Sequence, residues 1–544
     1  MLRSTMQDDA PLTVPMIVRH ALGVHGESPI VAAREGGSAE RRTFAETGER
    51  IHRLAGALRE RGVRPGDAVG TLCWNTQAHL EAYFAVPSLG AVLHTINLRL
   101  YPAQVAWIIA DAADKVLLVD ASMWDLALEV LPDCPSVEWV IVSGDDADLD
   151  LTMSPVPAVR HEDLLDAATP FVGDVSDERA PAAMCYTSGT TGHPKGVVYS
   201  HRSVYLHAAA NLYAGGFGIH DADTVLQVVP MFHANGWGFP YAALLSGAGL
   251  VLSGRDLQPE TLVELIERER PTVSGGVPTI WRAVFDQARE RGADLRSLRL
   301  ISCAGSAVPE SLLRDYQTIG IELYQAWGMT ETSPLAAIAR PPVRTRDRDE
   351  WYWRTRTGRP VPGVEIRVTD ERGEPLPNDG ESVGELEVRG PWVAAGYYRD
   401  RDPDRVHDGW LRTGDVGTID DAGAMKITDR SKDLIKSGGE WISSTDIEDR
   451  LSEIDGVVEA ACIGIPDATW SERPLAMITV RPGVQLTDEQ VRAHLGATMP
   501  RWQHPDRIIV VPQIRRTSVG KIDKAGLRAA HAAGELTGED LPSR

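Results

Sequence analysis

Tyr186-Thr-Ser-Gly-Thr-Thr-Gly-His-Pro-Lys-Gly196 is the stretch from which the rest of this chain can be read. Its run of small hydroxyl residues and glycines follows the apolar Ala-Met-Cys, so it reads as a flexible loop after a strand. Backbone N–H groups and hydroxyls in such a loop can surround phosphate oxygens, with Lys195 supplying charge. It is not the GxxxxGK[ST] loop, because Gly rather than Ser or Thr follows the lysine. A surface Ser/Gly linker is the competing reading, but Pro194-Lys195-Gly196-Val197 leads straight back into an apolar segment.

Outward from that loop, helical and strand patterns alternate. Ile51, Leu54 and Leu58 form a helical stripe, and AVGTLCW (68–74) reads as a buried strand. The alternation returns at TLVELIERER (261–270) before PTVSGGVP, and at ESLLRDYQTIG (310–320) before IELYQAWG. Strands separated by helices of this length imply βαβ units and parallel sheets. No repeat of solenoid or propeller length is present. Residues 224–254 carry no charge and are long enough to span a bilayer, but Pro230, Gly236, Gly238 and Pro240 interrupt them. A buried strand, a loop and a buried helix fit better.

After about residue 355, short strands (VEIRVTD, GELEVRG) separated by turn signals predict a β-rich subdomain over about 355–429. The charged run DRSKDL then leads into a tail of mixed α and β pattern. The expected organisation is α/β: an N-terminal domain over 1–429 and a C-terminal domain over 430–544, with a hinge at about 429–434.

Composition narrows the function. The chain has 544 residues and a formal charge of −22, which argues against a nucleic-acid or anionic-membrane binder while leaving room for a local basic pocket. Of its 55 cations only seven are Lys, at 115, 195, 426, 432, 436, 521 and 524, where a compact point charge suits phosphate chemistry. Five scattered Cys with no metal-ligand spacing indicate buried free thiols in a reducing cytoplasm rather than a zinc site or disulfide framework. The N-terminal MLRSTMQDDAPL carries no basic-then-apolar targeting pattern.

Five motifs, in order, carry a resemblance. The 186–196 loop, Tyr324-Gln-Ala-Trp-Gly-Met-Thr-Glu-Thr-Ser-Pro334, Trp410-Leu-Arg-Thr-Gly-Asp415, Asp429-Arg-Ser-Lys-Asp-Leu-Ile-Lys-Ser-Gly-Gly439 and Arg516-Thr-Ser-Val-Gly-Lys521 resemble the signatures of the adenylate-forming (ANL) superfamily. Pro230-Met-Phe-His-Ala-Asn-Gly-Trp237 and Ser437-Gly-Gly-Glu-Trp-Ile-Ser-Ser444 are similar to the acyl-CoA synthetase branch, nearest the medium- and long-chain fatty acyl-CoA synthetases and the short thioether-acid CoA ligases.

The resemblance implies a small, mobile α+β C-terminal domain that rotates between adenylation and thioester formation. It also implies site roles. Lys521 would bridge carboxylate and α-phosphate; Glu331, with the hydroxyl of Thr187, would hold Mg²⁺; and Thr330 would bind the α-phosphate. Thr187, Ser188, Gly189, Thr190, Thr191 and Lys195 would cradle the phosphates. Asp415 and Arg430 would take the ribose, an ionised carboxylate being an acceptor for both hydroxyls. Gly305, Gln325, Ala326 and Trp327 would wall the adenine, Ala326 departing from the usual Gly and Trp327 from the usual Tyr. His233, Ala234, Trp237 and Gly305 would line the acyl pocket, with His233 beside the reacting carboxylate and Trp237 as its gate. Lys432 would mark the hinge, Lys436 would face the adenylate in one arrangement, and Trp441 would couple the gate to the nucleotide. In the last motif Arg515 stands where many relatives carry Pro, which predicts a looser entry to the loop.

The leading expectation is an AMP-forming ligase that adenylates a medium- or long-chain fatty acid with ATP and passes the acyl group to coenzyme A. The alternative is adenylation of an aryl acid or of nitrite without a thioester product. The partners expected are the small-molecule acid, ATP and CoA, with no nucleic acid and no integral membrane segment. By analogy alone, the resemblance admits a homodimer.

Overall fold

Ala68–Leu72 and Val92–Thr95 are buried at every position, as strands covered on both faces must be. A computed structural model describes the chain apart from residues 1–4, 8, 145–148, 188–192, 344–347, 431, 438–439, 518–521 and 542–544, and the side chains of 35, 440, 441 and 498. These two strands lie inside a seven-stranded sheet in the order Ala158–Arg160, Trp139–Ser143, Asp114–Asp120, Ala68–Leu72, Val92–Thr95, Pro181–Tyr186, Gly196–Ser200. Every pairing is parallel except the last, which is antiparallel. The candidate phosphate loop therefore joins the two members of the one antiparallel pair, at the sheet edge.

A nine-stranded sheet stands beside it in the same unit. Its six central strands, from Glu322–Gly328 to Pro29–Ala33, are parallel, and antiparallel strands close both edges. The helices Pro259–Glu269, Pro278–Arg291 and Glu310–Thr318 bury Leu262, Trp281 and Tyr316 in its core cluster. The helices Pro259–Glu269 and Glu310–Thr318 and the strands that follow them occupy the places where the sequence pattern puts them. The uncharged 224–254 segment folds as strand Thr224–Gln227, a turn at Ala234–Gly238, helix Phe239–Ser246 and strand Gly249–Leu252. Among the described residues no helix is long and apolar enough to cross a membrane. All five cysteines are buried and free.

By its internal contacts the chain divides into two compact units, Met1–Glu365 with Arg389–Leu411, and Ile366–Val388 with Arg412–Arg544. This division groups residues 366–388 with the C-terminal part. The physical reason is strand pairing: Glu365–Thr369, Gly384–Arg389, Trp410–Ile419 and Met425–Arg430 belong to one sheet, whose last strand runs straight into the C-terminal segment. The second unit's other sheet is centred on the long hairpin Val457–Asp467 and Ser471–Val480. The helix Ser444–Ser452 packs there, burying Ile447 and Leu451 beside Ile478 and Val491.

Candidate active site

The edge strands that carry the phosphate loop are pinned at its mouth. Thr187 N–H donates to the Lys195 carbonyl at 2.9 Å, and Lys195 N–H donates to Thr187 Oγ1 at 3.2 Å. Ser188, Gly189, Thr190 and Thr191 lie outside the described residues. The Lys195 ammonium pairs with Asp402 and sits 5.1 Å from the centre of the Tyr397 ring. His193, at the far end of the loop, stacks on Trp107 with ring centres 4.4 Å apart.

Thr330 and Glu331 follow the strand Glu322–Gly328 in a short turn, Thr330–Thr332. Gly328 makes the turn possible, because a Cβ there would lie 1.6 Å from the Pro334 carbonyl oxygen. Tyr199 donates its hydroxyl to the Thr330 carbonyl at 2.7 Å, and Ala394 N–H donates to the Glu331 carbonyl at 2.7 Å. The Glu331 side chain is buried, and the Tyr397 hydroxyl donates to its Oε1. Burial, then the charge of Glu331, pushes the Tyr397 phenol well above its ordinary value, so it stays protonated and donating. One aromatic ring thus touches both the candidate metal carboxylate and the cation of the phosphate loop.

The donor chemistry suits Mg²⁺. Glu331 offers a hard carboxylate oxygen and Thr187 a hydroxyl, and among the described residues no cluster of three or more His, Cys, Asp or Glu forms a dedicated cage. An ion that takes most of its ligands from phosphate and water needs no such cage.

The proposed adenine wall is built on the same sheet. Gln325 pairs with Cys303, and its side-chain oxygen accepts from Val308 N–H at 3.2 Å, tying down the loop that carries Gly305. Gly305 has φ 94°, and a Cβ there would come within 3.1 Å of Val277. Ala326 and Trp327 are both buried and pair with Ile338 and Ala337, with a bulge just after Trp327.

The acyl-side loop has an unusual backbone. Ala234, Asn235, Gly236, Trp237 and Gly238 all have positive φ, from 42° to 72°, so the chain makes a left-handed turn although three of the five residues are not glycine. Such a conformation costs about 1–2 kcal/mol per non-glycine residue and persists only when its surroundings impose it. Buried amides do so here. Gln227 Nε2 donates to the carbonyls of Val229 at 2.6 Å and Gly236 at 3.1 Å. Asn75 Nδ2 donates to the carbonyls of Gln227 and Val229, while its Oδ1 accepts from Met231 N–H at 2.7 Å. Asn235 Oδ1 accepts from Cys185 Sγ at 3.1 Å and Thr95 Oγ1 at 3.3 Å, which bonds the acyl loop to the strand that leads into Thr187. His233 stands at the start of this turn, its N–H on the Pro230 carbonyl at 3.0 Å.

The second unit holds the remaining candidates. Asp415 and Arg430 face each other across an antiparallel pair, with Nε 3.4 Å from the carboxylate. Burial lowers the Lys432 pKa, partly offset by Asp433. Lys436 lies opposite Trp441 in a hairpin, its N–H on Glu472 at 2.9 Å, and the Trp441 side chain is outside the described residues. Lys521 lies outside them too, but both ends of its loop are held: Arg515 Nε donates to Asp523 at 2.9 Å, and Arg516 bridges Ile522. The side chain that replaces Pro thus closes the loop by an ion pair.

Tyr397, Asp402, Tyr199 and Asn75 were not legible as site residues, since each acts on a partner remote in sequence; Gln227, whose partners Val229 and Gly236 are near in sequence, was missed as well. The tyrosine of Gly396-Tyr-Tyr398, just before a run of alternating charge, is the one weak signal that could have pointed there.

A family model described as AMP-binding enzyme matches residues 18–398, and one described as AMP-binding enzyme C-terminal domain matches 446–521. The chain is 42% identical to a long-chain-fatty-acid–CoA ligase of Thermus thermophilus, covering 96% of each. It is 39% identical to a 3-methylmercaptopropionyl-CoA ligase of Ruegeria lacuscaerulensis, covering 95% of this chain and 97% of that one. It is 38% identical to a medium-chain-fatty-acid–CoA ligase of Ectopseudomonas oleovorans, covering 95% of both. Among solved structures, the anthranilate CoA ligase AuaEII with anthranoyl-AMP superposes with a TM-score of 0.86 at 26% identity, covering 98% of this chain and all of the other.

Proposed function

Because the chain belongs to the AMP-binding enzyme family of adenylate-forming enzymes, we propose that it activates an apolar medium- or long-chain fatty acid with ATP and transfers the acyl group to coenzyme A. It is an ATP-dependent, AMP-forming acid:CoA ligase that uses ATP, Mg²⁺ and CoA.

The chemical problem is the approach of two anions. A carboxylate and an α-phosphate about 3.5 Å apart repel by roughly 4–5 kcal/mol at an effective dielectric near 20, so cations and oriented donors must be in place before attack. In this reading Lys195 and the loop at 187–192 hold the phosphates, Thr330 binds at the α-phosphate, and Lys521 spans carboxylate and phosphate. Mg²⁺ bound by Glu331 and Thr187 would neutralise phosphate charge. Asp415 and Arg430 bind the ribose, Gly305, Gln325, Ala326 and Trp327 take the adenine, and His233, Ala234 and Trp237 border the acid. Lys432 marks the turning point of a C-terminal domain at about 430–544, Lys436 faces the adenylate in one arrangement, and Trp441 couples the gate to the nucleotide.

One observation carries the choice of substrate. The left-handed loop sits in an uncharged segment and is hydrogen-bonded through Asn235 to the strand leading into the phosphate loop, which supports an apolar acid as the group brought to that loop. Aryl-acid or nitrite activation without a thioester is not favoured, since the relatives at 38–42% identity are CoA ligases of fatty and thioether acids. A cytoplasmic location agrees with the five buried free thiols. A homodimer is proposed by analogy alone.

The test is pyrophosphate release over straight-chain acids, aryl acids and nitrite, each with and without CoA. Release with apolar acids, and a thioester only when CoA is present, is the expected result. Release with nitrite or an aryl acid and no thioester would overturn the proposal.

A further inference from the structure

Residues 397–402 reach several parts of the phosphate-loop region at once. Tyr397 holds Glu331, Arg399 and Arg401 bind Asp111, and Asp402 binds Lys195. Asp111 in turn accepts from the Tyr186 hydroxyl at 2.8 Å, one residue before the loop begins. Arg401 also lies 4.9 Å over the Trp107 ring on which His193 stacks, so this segment is coupled to both ends of the loop. Arg399 and Asp400 have φ of 59° and 51°, a strained conformation that these anchors hold in place. Asp402 is therefore tethered through its neighbours, whereas Lys195 carries its charge at the end of a flexible stem.

A carboxylate set against the cation of a phosphate site opposes phosphate binding, and such a placement calls for a reason. We propose that Asp402 is the resident counter-ion of Lys195, a positioning residue that holds the ammonium between turnovers, yields it to the nucleotide's phosphates and takes it back as pyrophosphate leaves. The inference rests on the reading that Lys195 contacts those phosphates. Both side chains are about 30% exposed, 31% for Lys195 and 29% for Asp402, and ion pairs at that exposure are weak enough to exchange partners readily. A polyphosphate, with several charges and more acceptor oxygens, displaces a single carboxylate. When the product departs, the waiting carboxylate stabilises the freed cation, and its charge disfavours rebinding.

The experiment compares Asp402→Asn, Asp402→Glu and Lys195→Met in the complete enzyme, measuring product inhibition by pyrophosphate, the KM for ATP and inhibition by AMP. Asp402→Asn should tighten pyrophosphate inhibition about two- to five-fold, the range that such exposed pairs are worth. It should lower the KM for ATP in the same direction, leave AMP inhibition unchanged and lose its effect at high salt. Asp402→Glu should behave as the parent enzyme. Unchanged or weaker pyrophosphate inhibition in Asp402→Asn, while Lys195→Met weakens both ATP and pyrophosphate, would overturn the counter-ion role alone. If Lys195→Met alters neither constant, the phosphate role of Lys195 fails and takes the proposal with it. A change in AMP inhibition equal to that in pyrophosphate inhibition would mark a general structural effect and also overturn it.

Discussion

Tyr397 shows how much a single side chain contributes here. Its hydroxyl fixes the Glu331 carboxylate while its ring lies under Lys195. Tyr397→Phe keeps the ring and removes only the hydrogen bond. A hydrogen bond to a charged group is worth about 1.5–3 kcal/mol, so the adenylation rate should fall at least about ten-fold. The Mg²⁺ concentration giving half-maximal rate should rise in the same variant. An unchanged Mg²⁺ titration would show that Glu331 needs no such support. Glu331, Lys195 and Asp415 were nameable as candidates from the sequence because their chemistry is carried by their own functional groups within short motifs. Tyr397 and Asp402 were not, because a tyrosine and an aspartate in a turn have no local mark of the partner they will meet.

The left-handed turn at Ala234–Gly238 makes predictions of opposite sign within one element. Ala234 has φ 42°, and Ala234→Gly removes a left-handed penalty of about 1–2 kcal/mol at an entropic cost of about 0.5–1 kcal/mol. It should raise the melting temperature slightly or leave it unchanged. Gly238→Ala should lower it: the conformation is the same, but the new Cβ would lie 2.5 Å from His207 Nδ1. Thermal melts of the two variants check both, and equal losses would mean that the turn is not strained. The second unit's catalytic loop gives another test. Arg515→Ala breaks the pair with Asp523 that closes the loop around Lys521. Pyrophosphate formation should fall severalfold with little change in the melting temperature, and an unaltered rate would show that the pair does not position the loop. A missing Pro reads from the sequence as a looser entry; the replacement by an ion pair appears only when residues 515 and 523 are brought together.

The two units should respond to acid in opposite ways. In the first unit, burial holds His79 and His201 at about 4 and His207 at about 3. His201 accepts from Val14 N–H and His207 from Leu335 N–H, so these rings must be neutral. Their folded-state values lie below the ordinary 6.5; stability is therefore full above 6.5 and is lost as the pH falls toward 4. In the second unit, burial raises Glu448 to about 7 against the opposing influence of Lys524, 2.9 Å away. Lys524 itself is disfavoured by burial, but Glu448 and Asp429 more than restore its charge. A carboxyl raised in the folded state adds stability that is complete below about 4.5 and is lost as the pH rises through about 7. Calorimetry between pH 4.5 and 6.5 should thus show the first unit's transition moving up with pH and the second's moving down. A single transition, or two moving together, would contradict this. His207→Gln should flatten the acid side of the first transition.

The sequence by itself determined the family, the α/β alternation and the reaction class, and it named candidate groups to perform it, because periodicity, loop composition and motif order are properties of neighbouring residues. Tertiary structure alone decided what holds those groups. Glu331 meets Tyr397 across 66 residues, Lys195 meets Asp402 across 207, and Asn75 supports the acyl loop from 154 residues away at Val229. It also decided that residues 366–388 group with the C-terminal part, since strand pairing rather than chain order sets which segments pack together. No local pattern encodes such pairs: each joins segments far apart in the chain, and only the closed fold brings the partners within bonding distance.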